Sequence, residues 1–99
     1  MKPLEGITVL EFSTMITASF AAMMMAEQGA RVIKVEPMNV GDPMRYIGAN
    51  KGGISSLFAN CNRGKQSIRV NLKEQAGQEL IRELVAEVDI FIHNFRPGV

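Results

Sequence analysis

Short, nearly continuous apolar runs alternate along this chain with longer segments whose apolar residues recur at helical spacing. Thr8-Val9-Leu10-Glu11-Phe12 follows Gly6 and reads as a buried strand with a polar exit. Ile16 to Gln28 reads as a helix stopped by Gly29. Its Ala18, Ala21, Ala22 and Met25 give a small-residue face that can pack close onto a sheet. Arg31 to Glu36 is a second strand, ended by Pro37. These three segments form one βαβ unit.

The glycine- and proline-rich stretch Met38 to Gly53 reads as a long irregular loop, with Gly41-Asp42-Pro43 as turn chemistry and Arg45 tying it down. Ile54 to Ala59 has room for one or two helical turns. Ser67 to Val70 alternates polar and apolar residues as a third strand would. Asn71 followed by Glu74 resembles a capping box, and the helix after it presents Ala76, Leu80, Ile81, Leu84, Val85 and Val88 on one face. Asp89 to Ile92 is a fourth strand, nearly all apolar, as parallel strands covered on both faces are. Strands alternating with helices imply right-handed crossovers, hence an α/β fold with a Rossmann-like parallel sheet and flanking helices.

Composition narrows the function more than the fold. The 99 residues are 46% hydrophobic and 21% charged, with a formal net charge of +1. That balance excludes a disordered tail and shows no footprint for nucleic acid or an anionic membrane surface. The longest apolar stretch, near Ile16 to Ala26, is too short to span a bilayer, and Glu5 and Glu11 interrupt the first one, so no signal peptide is visible. A cytoplasmic protein is expected. Cys61 is the only cysteine, which leaves no internal disulfide and no cysteine cluster for zinc. It reads as a small buried hydrophobe, and Met23-Met24-Met25 as core packing.

Ligands of open parallel sheets bind beyond the carboxyl ends of the strands. Four loops lie there: Ser13 to Thr17, Pro37 onward, Asn71 to Lys73, and His93 to Arg96. The first precedes a helix N-terminus but carries no G-x-G-x-x-G, and there is no Walker A motif. Arg63, Lys65 and Lys73 belong to the most basic stretch and are open to two readings, contact with a phosphate or solvated charge around a turn at Gly64. His93 ends a strand at the favoured edge, without a neighbouring carboxylate to make it a base. From the residues alone the reading is an α/β domain with an anion site at its strand ends.

Five segments, in order and in register, are similar to the family III CoA-transferases, which include formyl-CoA transferase, carnitine CoA-transferase and α-methylacyl-CoA racemase. They are Pro3 to Ser13, Gly29 to Pro37, Gly41-Asp42-Pro43 with Arg45, Asn62 to Lys73, and Asp89 to Val99. The last resembles the family's "N-F-R-P-G" run at Asn94 to Gly98. The resemblance implies that residues 1–99 are the N-terminal part of the large Rossmann-like domain, without an internal boundary. It also implies an enzyme that moves CoA from an acyl-CoA donor to a carboxylate acceptor, and an interlocked homodimer.

CoA or acyl-CoA would be the substrate, with no covalently bound cofactor and no metal. Catalysis in the family uses an aspartate that passes through anhydride and thioester intermediates, or a His and Asp pair in the racemases. Both lie beyond Val99, so no catalytic residue is placed on this chain and the piece alone is expected to be inactive. The positions matching the CoA site are Ile16, Thr17, Val70, Asn71, Lys73, Asn94, Phe95 and Arg96. Two departures stand out: Glu36 runs directly into Pro37 without the arginine some members place between them, and His93 replaces a commoner glutamate. The alternatives are an acyl-CoA α-racemase of the same family, or a non-catalytic CoA- or nucleotide-binding module.

Overall fold

A computed structural model of the chain describes residues 1–38, 41–48, 50–51 and 54–98. Residues 39, 40, 49, 52 and 53 of the expected loop, and Val99, lie outside the described residues. The principal sheet has four strands: β1 (Thr8–Phe12), β2 (Arg31–Glu36), β5 (Gln66–Arg69) and β6 (Ile90–His93). All pairings are parallel, in the order β5-β2-β1-β6. The first two match the sequence reading residue for residue, and β5 and β6 are displaced from it by one residue. A short antiparallel pair, β3 (Asn50–Lys51) with β4 (Ile54–Ser55), is added within the loop-rich connection and was not expected.

Cross-strand register sorts the side chains onto two faces. Glu11 pairs with Lys34, and Lys34 with Ser67, so those three share one face. Leu10, Phe12, Ile33 and Val35 share the other, where they cluster with Val70. Helix α3 (Gln75–Glu87) covers this second face with Ile81 and Leu84, joined by Val88 just after it. Leu80 and Val85, expected on the same apolar face, are instead exposed, because the 77/81/84/88 row points inward and they lie to either side of it. The Asn71–Glu74 capping box is also corrected. The helix begins only at Gln75, so the Asn71 side chain accepts from the Lys73 N–H at 3.0 Å as a turn instead.

Helix α1 (Thr17–Glu27) lies against the first face, with Ala18 and Ala22 buried as expected and Met25 half-buried against Val9 and Val32. Of the methionine triplet only Met23 is fully buried; Met24 is exposed, on the outward side with Phe20. Pro43–Tyr46 forms a 3-10 turn whose first N–H group is capped by Asp42, and helix α2 (Ser56–Asn62) is capped by Ser55. Cys61 is buried, as read. No described helix is long and apolar enough to cross a membrane.

Candidate functional site

The strand ends of the principal sheet open into a cavity of about 470 Å³, within the usual range for small-molecule sites. Each wall comes from the residues that leave a strand. Phe12, Ser13 and Thr14 come from β1; Glu36, Pro37 and Met38 from β2; Val70 to Lys73 from β5; and Phe95 follows β6. This is the edge that the parallel topology predicts.

Of the eight positions proposed from the sequence, Val70, Asn71, Lys73 and Phe95 line this cavity. Val70 is buried in the core beneath it, and Phe95 meets the Phe12 ring edge-on with centroids 6.4 Å apart. Lys73 is exposed, and among the described residues its ammonium has no partner. Ile16 and Thr17 sit just outside the lining, at the start of α1, and Arg96 is exposed beyond Phe95. The Asn94 side chain is turned onto the Thr14 backbone, donating to its carbonyl at 2.7 Å and accepting from its N–H at 3.2 Å.

Helix α3 can approach the rim closely only because residue 77 is glycine. A Cβ there would stand 2.1 Å from the Asn71 carbonyl oxygen. Gly41 plays a comparable part on the other wall. Its φ is +75°, and a Cβ would stand 2.6 Å from Glu36 Oε1.

Among the described residues Glu36 is the one carboxylate in the cavity wall, and its oxygens are fully committed. Arg45 donates from Nε and NH2, each at 2.7 Å, the Asp42 N–H donates at 2.7 Å, and the Ser67 hydroxyl donates as well. Burial pushes the Glu36 carboxyl up, but the hydrogen bonds from Arg45, Ser67 and the Asp42 backbone, with the Arg45 charge, outweigh it and hold the group at about 2. The same bond raises the Arg45 guanidinium above its ordinary value against the cost of its own burial. Arg45 also lies over the Phe58 ring, 4.1 Å from its centroid. It ties the loop down, as the sequence suggested.

Beneath the cavity floor, on the α1 face, lies a buried polar cluster that sequence reasoning missed. Lys34 Nζ is 2.9 Å from both Glu11 Oε2 and Asp42 Oδ2, and Lys65 Nζ is 2.6 Å from Glu11 Oε1. The cluster pairs two ammoniums with two carboxylates. Ser13 donates to Glu11, Ser19 accepts from Lys34, and Lys65 also donates to the Ser19 carbonyl and to Asn62 Oδ1. Among the described residues Glu11 Oε1 and Asp42 Oδ2 take no aligned hydrogen bond and are balanced by the ammoniums alone.

Lys65 therefore fits neither of its two readings. It is neither a phosphate ligand nor solvated, and burial lowers its pKa against the opposing pull of Glu11. Arg63 is spent on an exposed ion pair with Glu27. A signal for the cluster was present: Glu11 and Lys34 sit within central strands covered on both faces, where an unpaired charge would be prohibitive. His93 is exposed, and its Nδ1 accepts from the Phe95 N–H at 3.2 Å. Among the described residues no group of three or more His, Cys, Asp or Glu is arranged to hold a metal ion.

A parallel sheet with a cavity at its carboxyl edge, one wall bearing an exposed ammonium, defines an α/β domain that opens at its strand ends. Residues 4–99 match the family model of the CoA-transferase family III, and the chain belongs to that family. It is 40% identical over 99 residues to succinyl-CoA:glutarate CoA-transferase of Homo sapiens, covering 99% of this chain and 23% of that protein. It is 37% identical over 97 residues to acetyl-CoA:oxalate CoA-transferase of Acetobacter aceti, covering 98% of this chain and 25% of that protein. A CAIB/BAIF family protein from Brucella suis superposes with a TM-score of 0.89 at 37% identity, covering 98% of this chain and 27% of that one. The chain thus spans about a quarter of the length of the relatives it matches.

Proposed function

We propose that this chain supplies part of the coenzyme A site of an enzyme that moves CoA from an acyl-CoA donor to a carboxylate acceptor. The carrying observation is the convergence of Val70, Asn71, Lys73 and Phe95 on one cavity with the Lys73 ammonium unspent. An apolar wall of Val70 and Phe95 suits a pantetheine arm, and a free ammonium at the rim suits a phosphate. Transfer that conserves thioester energy needs a carboxylate nucleophile. Glu36 cannot serve, since four donors hold its oxygens and a carboxyl near 2 is a weak nucleophile. In this reading the reacting carboxylate is the aspartate that the family resemblance implies, outside these residues, and residues 1–99 act as the N-terminal part of the large domain. The relatives named above as transferases favour transfer over racemisation at the α-carbon.

Titration calorimetry with CoA tests the reading on this chain. Lys73→Ala is expected to weaken CoA about tenfold, the low end of a charge-assisted contact. An unchanged dissociation constant would remove Lys73 from the site, and no heat of binding with the parent chain would remove the site itself.

A further inference from the structure

The cavity wall formed by Ser13 and Thr14 leads into a left-handed backbone turn. Met15 has φ +65°, the one positive value at a non-glycine residue among those described. That region is sterically disfavoured for a side chain with a Cβ. Two side chains from distant elements hold the turn from either side. Asn94, just past β6, pairs with both backbone polar groups of Thr14. Asp42, before the 3-10 turn, accepts the Met15 N–H on Oδ1 at 3.2 Å and is itself buried against Lys34.

We propose that Asn94 is a positioning residue. Its carboxamide clamps the Thr14–Met15 turn, with Asp42 as the opposite jaw, and so fixes the Ser13–Thr14 wall for the ligand. This rests on the CoA reading for the identity of that ligand, but the clamp itself is a property of the chain alone. Both hydrogen-bonding groups of the carboxamide are engaged by Thr14, so the Asn94 side chain acts through that backbone. Asn94 itself is exposed, so truncating it removes the clamp without opening the core.

The test is a rescue. Asn94→Ala is expected to weaken CoA binding by this chain about tenfold. Adding Met15→Gly should restore at least half of that loss on a logarithmic scale, because glycine adopts the positive φ without the Cβ penalty. A general loosening of the fold would gain nothing from an added glycine, so a double variant that recovers less than half of the loss overturns the proposal, as does an Asn94→Ala chain that binds like its parent. Amide hydrogen exchange gives an arm that needs no ligand. The Thr14 amide should be protected in the parent and released in Asn94→Ala, with Leu10 and Ile33 unchanged. If CoA fails to bind the parent at all, the functional reading falls and exchange alone decides the clamp, an unprotected Thr14 amide in the parent overturning it.

Discussion

Replacing Glu36 with glutamine removes one charge from the cavity wall and leaves its volume almost unchanged. The parent carboxylate accepts four hydrogen bonds, two of them from Arg45. Glutamine offers one acceptor oxygen and turns an NH2 group toward the remaining donors, so part of the set is lost outright. The titration sets the magnitude. With the carboxyl at about 2 in the folded chain against an ordinary 4.5, the charged form contributes about 3 kcal/mol to folding at pH 7.

The sign follows from the direction of that shift. The folded value is the lower one, so the contribution is fully present above about pH 4.5 and is lost as the pH falls through the folded value near 2. At pH 3 about 1 kcal/mol of it remains. The deficit of Glu36→Gln relative to the parent should therefore shrink by roughly two-thirds between pH 7 and pH 3. Urea unfolding followed by far-UV circular dichroism reads this directly, the chain having no tryptophan. At pH 7 the midpoint should fall by about 2 M for a chain of this size. A deficit equal at the two pH values would refute the reasoning, because the Glu36 bonds would then not depend on its charge.

Gly77→Ala ought to stabilise an exposed helix by propensity, yet here it should cost about 1–3 kcal/mol and weaken CoA, since its Cβ would push the Asn71 carbonyl. A higher melting temperature for that variant would refute the close approach. Lys65→Met should destabilise the chain by about 3–5 kcal/mol in the same urea assay by leaving Glu11 short of an ammonium, and Glu11→Gln added to it should recover part of the loss. Losses that simply add would show that the two groups are not paired. Arg63→Ala, at the exposed pair with Glu27, should change stability by less than about 1 kcal/mol, and a larger loss in urea unfolding would mean that the pair is better ordered than its exposure implies.

Much of the fold follows from local pattern. Apolar runs bounded by Gly6 and Pro37 mark β1 and β2 residue for residue, and helical spacing marks α1 and α3, because period and chain-breaking residues act within a few positions. The same locality explains the misread start of α3. Asn71 and Glu74 have capping spacing, but the turn at Lys73 takes the Asn71 oxygen first. Four of the eight proposed site residues lie together at the cavity because parallel topology brings all strand ends to one edge.

What only the tertiary structure decided is who partners whom across long separations. The order β5-β2-β1-β6 sets Glu11 beside Lys34, and α2 with its following turn delivers Lys65 to the same carboxylate. Asn94 reaches back eighty residues to Thr14. A charged residue in an apolar strand announces that it must be neutralised, since burying it alone is prohibitive. It does not announce by which residue. That choice depends on strand register and crossover path, which no local periodicity encodes. So the sequence by itself determined most of the elements and the edge where the cavity opens, and the packing determined which side chains are spent holding that edge and which are left exposed at it.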